Sequence, residues 1–73
     1  MKVIIKHRLK SGKYEFVKGR ERDEKDNLNL IFTNKQDGAK LWNTLYAATD
    51  FISKSDTKLE GFEIIQVDDK DFA

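Results

Sequence analysis

Apolar and polar positions alternate through the first part of the chain. In residues 2–9, Val3, Ile5 and Leu9 fall on one side and Lys2, Lys6 and Arg8 on the other, with Ile4 interrupting the polar row. A period of two predicts a half-buried strand. Ser11-Gly12 follows between Lys10 and Lys13, and a two-residue loop holding glycine predicts a hairpin. In that register Leu9 pairs with Tyr14, His7 with Phe16 and Ile5 with Lys18 on one face. On the other, Arg8 meets Glu15, Lys6 meets Val17 and Ile4 meets Gly19. The first set joins mainly apolar neighbours, and the second contains an opposite-charge pair.

Residues 19–27 hold no apolar side chain and predict an exposed loop. Leu28, Leu30 and Phe32 then alternate with Asn29, Ile31 and Thr33, a third strand. Thr33 and Gln36 match a capping box, with Asp37 in the first turn or itself the cap, so a helix is expected from here to residue 52. Leu41, Trp42, Leu45, Ala48, Thr49 and Ile52 form its apolar stripe at about 100° per residue. Trp42 reads as a core anchor and Tyr46 sits at the rim. Phe51 falls off the stripe, either packing back past the helix end or standing exposed. A polar connection, residues 53–60, leads through Gly61 to a last strand, in which Phe62, Ile64 and Gln66 alternate with Glu63, Ile65 and Val67. An acidic tail, Asp68, Asp69 and Asp71, follows.

The expectation is one α+β domain spanning residues 1–73, with elements in the order β-β-β-α-β. A three- to four-stranded, mostly antiparallel sheet carries one helix on one face. The position of the last strand is open: after a helix it can run parallel to the third by a right-handed crossover. One helix shields one face, and the same alternation puts Ile4, Val17, Ile31, Ile65 and Val67 on the other. Such a band predicts a protein interface, with homodimerisation favoured because a chain this short buries little surface alone. Ile4, Val17, Ile31 and Ile65 supply its apolar contacts, Lys6, Arg8 and the 19–27 loop its electrostatics, and Tyr46 a rim contact.

Charge adds a rival. The formal net charge is +1, but Lys2, Lys6, Arg8, Lys10, Lys13, Lys18 and Arg20 are opposed in residues 1–20 by Glu15 alone. Lys2, Lys6, Arg8, Lys10 and Lys13 therefore form a candidate nucleic-acid surface. Two expectations weigh against it: Tyr14 and Phe16 point to the opposite face, leaving no stacking platform, and Glu15 interrupts the row.

Catalytic and cofactor chemistry finds no foothold. There is no cysteine, and the single histidine, His7, is expected on the inner face toward Phe16. Ser11, Ser53 and Ser55 fall in loops, the Asp23-Glu24-Asp26 cluster does not match a calcium loop, and the glycines form no phosphate-binding motif. The expectation is a non-enzyme with no metal and no cofactor. Without cysteine, a leader-like segment or a membrane-length apolar run, a soluble cytoplasmic protein without membrane contact is expected.

The run from Phe32 to Trp42, Phe-Thr-Asn-Lys-Gln-Asp-Gly-Ala-Lys-Leu-Trp, and the Lys, Asp and Asn usage resemble small early-region proteins of temperate phages of low-GC Gram-positive bacteria. The resemblance is one of style across the chain. It implies an accessory or modulator protein that binds a host or repressor protein, and it carries over no functional residue.

Overall fold

The computed structural model describes residues 2–57 and 60–68, so Asp69 and Asp71 of the acidic tail lie outside the described residues. Strands β1 (Lys2–Arg8), β2 (Tyr14–Arg22) and β3 (Leu28–Thr33) are followed by a 3₁₀ turn at Gln36–Gly38, helix α1 (Leu45–Ser53) and strand β4 (Phe62–Val67). The sheet order is β3-β2-β1-β4, and every pairing is antiparallel. The last strand thus returns beside β1, where Ile4 faces Ile65 and Ile5 faces Ile64, rather than parallel to β3.

The first hairpin differs from the expected one by a single residue. Gly12 N–H donates to Leu9 O at 3.0 Å and Leu9 N–H to Lys13 O at 2.8 Å, which makes a three-residue loop of Lys10, Ser11 and Gly12. Gly12 adopts φ +89°, the left-handed conformation that closes loops of this length. Lys6 consequently faces Phe16, His7 faces Glu15 and Arg8 faces Tyr14. A slip of one residue inverts the faces of a strand. Tyr14 and Phe16 therefore lie on the face away from α1, and Glu15 and Val17 lie on the face beneath it.

The expected long helix is replaced by three pieces. Thr33 Oγ1 accepts from Lys35 N–H at 3.3 Å, a local turn in place of a capping box, and the Gln36–Gly38 turn has no side-chain cap. Residues 40–42 are extended: Val3 and Trp42 exchange two backbone hydrogen bonds of 2.9 and 3.0 Å, and Lys40 N–H donates to Val17 O at 3.0 Å. Because β1 and β2 pair directly only over Lys6–Arg8 and Tyr14–Phe16, this segment fills the fork where they part. Helix begins only after Thr44, whose Oγ1 accepts from Ala47 N–H at 3.0 Å. The glycine at 38 and asparagines at 34 and 43 are poor helix formers, and satisfied sheet hydrogen bonds outweigh the apolar stripe there.

The core has two parts. Beneath α1, Val3, Ile5, Val17, Leu30, Trp42 and Ala48 are buried, flanked by Phe32, Ala47, Phe51, Ile52, Phe62 and Ile64. Phe51 belongs to this core: its ring meets Trp42 edge-on at 5.1 Å and lies under the Arg20 guanidinium at 4.3 Å. With the helix starting at residue 45, the face turned to the core runs through 47, 48, 51 and 52, leaving Leu45 outside. On the opposite face Ile4, Phe16 and Ala39 form a second cluster with Leu41, Ile65 and Val67. The chain crosses β2 on this side to enter the fork, which places Ala39 against that cluster.

Strand β2 extends through Arg22, so the expected 19–27 loop shrinks to residues 23–27. The Asp23 carboxylate accepts from the N–H groups of Lys25 and Asn27, both at 2.9 Å, and from the Asn29 side chain at 2.9 Å. These bonds, led by the Asn27 N–H, hold its pKa below the ordinary value. Among the described residues no helix is long and apolar enough to cross a membrane.

Candidate nucleic-acid interface

The residues proposed for a protein interface are dispersed by the fold. Val17 is 0% exposed beneath α1, because the register shift carried it to the inner face. Ile4 does lie on the opposite face, yet it too is 0% exposed, enclosed by Phe16, Ala39, Leu41, Ile65 and Val67. Ile31 and Ile65 are half-buried. Tyr46 stands elsewhere, on the first turn of α1, at 80% exposure beside Leu45 at 61%. The expected apolar band is therefore largely consumed by the chain itself.

The basic residues fare differently. Lys6 and Arg8 lie two apart on β1 and share the face away from α1. Lys10 lies in the hairpin loop and Lys13 directly follows it; both are exposed, as is Arg8. Lys2 stands apart at the far end of β1, where its ammonium donates to the Asn43 side-chain oxygen. Four cations thus gather at one end of the molecule, around the hairpin tip.

The same register shift brings an aromatic ring among them. Tyr14 faces Arg8 across the strand pair, and the Lys6 ammonium lies 3.7 Å from the centroid of its ring. Tyr14 is 40% exposed. The contact is a cation–π pair, worth about 0.5–1 kcal/mol at an exposed position, so the ammonium is held loosely and can exchange partners. Phe16 is buried in the second cluster and offers no comparable surface.

Glu15, expected inside the basic row, has left it. It projects beneath the sheet, where its Oε1 lies 2.9 Å from His7 Nδ1. His7 in turn sits between the rings of Phe62 at 4.8 Å and Phe32 at 5.6 Å. This pair closes the open end of the core, with the histidine almost wholly buried and its polar atom satisfied. His7 is thus a packed core residue partnered by Glu15, not one directed at Phe16. One carboxylate does border the row on the outer face: Glu63 on β4 is the register partner of Lys6.

No group of three or more His, Cys, Asp or Glu residues able to hold a metal ion occurs among the described residues. Sequence reasoning named Lys2, Lys6, Arg8, Lys10 and Lys13 as candidates; the fold brings the last four to one end, sets Lys2 apart and adds Tyr14, whose face turned on one loop residue. The signal was Ser11-Gly12 preceded by Lys10, because glycine in third place also fits the three-residue loop. Comparisons with protein-family models, with curated proteins and with solved structures gave no match.

Proposed function

We propose that this protein is a non-enzymatic binding module whose working surface is the basic hairpin tip and whose partner is nucleic acid. The single observation that carries the reading is that Lys6 and Arg8 border an accessible tyrosine, with Lys10 and Lys13 exposed at the adjoining loop and Glu15 on the other face. Clustered cations neutralise phosphates and release counterions, giving affinity with little sequence preference. Titration of labelled single- and double-stranded DNA at low and moderate salt tests this. Binding is expected at low salt, falling steeply as salt rises, and Arg8→Glu weakens it. Absence of binding at low salt overturns the reading.

A second reading is favoured by one other feature. Leu45 and Tyr46 are adjacent, apolar in large part and exposed on the first turn of α1. Such a pair suits a protein contact, either a second copy of the chain or a host or repressor protein of the kind the phage resemblance implies. Sedimentation of the pure protein alongside Tyr46→Ser tests the homodimer, which is expected to dissociate in the variant. A monomeric parent protein removes it.

A further inference from the structure

We infer that the hairpin tip takes single-stranded nucleic acid, with Tyr14 as the stacking platform for one base and Lys6 as the group that trades the ring for a phosphate. This rests on the nucleic-acid reading above and narrows it to one strand form and one pair of residues.

The argument begins with what a duplex hides. In double-stranded DNA the base faces are stacked on one another, and only base edges and phosphates meet a protein. A protein with cations alone does not distinguish the two forms by stacking. Single-strand binders add aromatic side chains set within the basic surface, because every base has a π-face. The tip has this arrangement: Tyr14 is 40% exposed, opposite Arg8, with Lys10 and Lys13 at the adjoining loop.

Lys6 supplies the second half. Its ammonium rests 3.7 Å from the Tyr14 ring centroid, in the position a stacked base would take. A phosphate attracts an ammonium more strongly than a ring quadrupole does, so an arriving strand draws Lys6 to its backbone and uncovers the ring. The base then replaces the ammonium on the tyrosine.

The register makes this use specific to residue 14. Phe16, next on the same face, is enclosed by Ile4 and Ala39, and the remaining aromatic residues near the tip, Phe32 and Phe62, are turned inward around His7. One base is therefore stacked, and the neighbouring phosphates are held by Lys6, Arg8, Lys10 and Lys13.

Fluorescence anisotropy with a labelled oligothymidine, a duplex of the same length and inorganic polyphosphate tests the inference. The single strand is expected to bind at least tenfold more tightly than the duplex. Tyr14→Ala and Tyr14→Leu each lower single-strand affinity by roughly tenfold or more and leave polyphosphate binding unchanged, while Tyr14→Phe retains affinity. Lys6→Gln reduces the salt slope by about one. Trp42 fluorescence and circular dichroism confirm that each variant is folded, and Tyr14→Leu serves should Tyr14→Ala not fold. Equal binding of strand and duplex, with affinity indifferent to Tyr14, overturns the stacking inference but leaves the basic tip as a polyanion site. Failure of the parent protein to bind any of the three at low salt overturns both.

Discussion

The two faces of the sheet each bury a central isoleucine completely, by different means. Beneath α1, Val3, Ile5 and Val17 are buried in one cluster with Trp42 and Ala48, flanked by Ala47, Phe51 and Ile52. On the opposite face no α-helix lies among the described residues, yet Ile4 is as fully buried as Ile5. There the cover is lateral: Phe16, Leu41, Ile65 and Val67 surround Ile4, and Ala39 joins them as the chain crosses β2. The second arrangement reaches only the middle of the face and stops short of the hairpin tip. An isolated helix count therefore misjudges how much surface a small domain leaves open, because a short extended segment seals one part and leaves another.

Removing the isoleucines from the two sides separates these modes most sharply. Ile5→Ala and Ile4→Ala are each expected to cost about 2–5 kcal/mol in urea denaturation, the range for truncation of a buried aliphatic side chain. An Ile4→Ala cost within about 0.5 kcal/mol, as at a surface position, would show that the lateral cover does not close. Next in size is the helix that covers one face only. Thr44→Ala removes the cap that accepts from Ala47 N–H and is expected to cost about 1 kcal/mol.

The smallest effect lies in the 23–27 turn, remote from both clusters. The lowered pKa of Asp23, set first by the Asn27 N–H, means that its contribution is fully present above the ordinary carboxylate range. It is lost as pH falls through the lowered folded value. Amide shifts of Lys25 and Asn27 followed by NMR should titrate with a midpoint below 3.8. A midpoint at or above that figure would sever the turn from the carboxylate.

Much of the fold was readable because alternation is local. Val3, Ile5, Leu28, Leu30, Phe32, Phe62 and Ile64 announce strands by their period, and the order β-β-β-α-β follows from it. What escaped was decided by contacts between distant residues. Leu41 and Trp42 fit a helical stripe, but Val3 offers Trp42 two backbone hydrogen bonds, and residues 40–42 become extended to take them. The faces of β2 turned on one residue of loop length, where Lys10-Ser11-Gly12 competes with Ser11-Gly12. That choice exchanged the faces of Glu15 and Tyr14 and with them the balance between the functional readings. The cations at the tip were visible throughout, since exposed charge does not depend on register to the same degree.

The wedge at residues 40–42 also bears on the order of events as the chain folds. Lys6 through Phe16 are close neighbours in sequence and zip without help from elsewhere, whereas the far part of the same seam stays spread until the middle of the polypeptide arrives. The end of the molecule that carries the cations thus rests on contacts local in sequence, whereas the Val3–Trp42 pair closes a long stretch of chain.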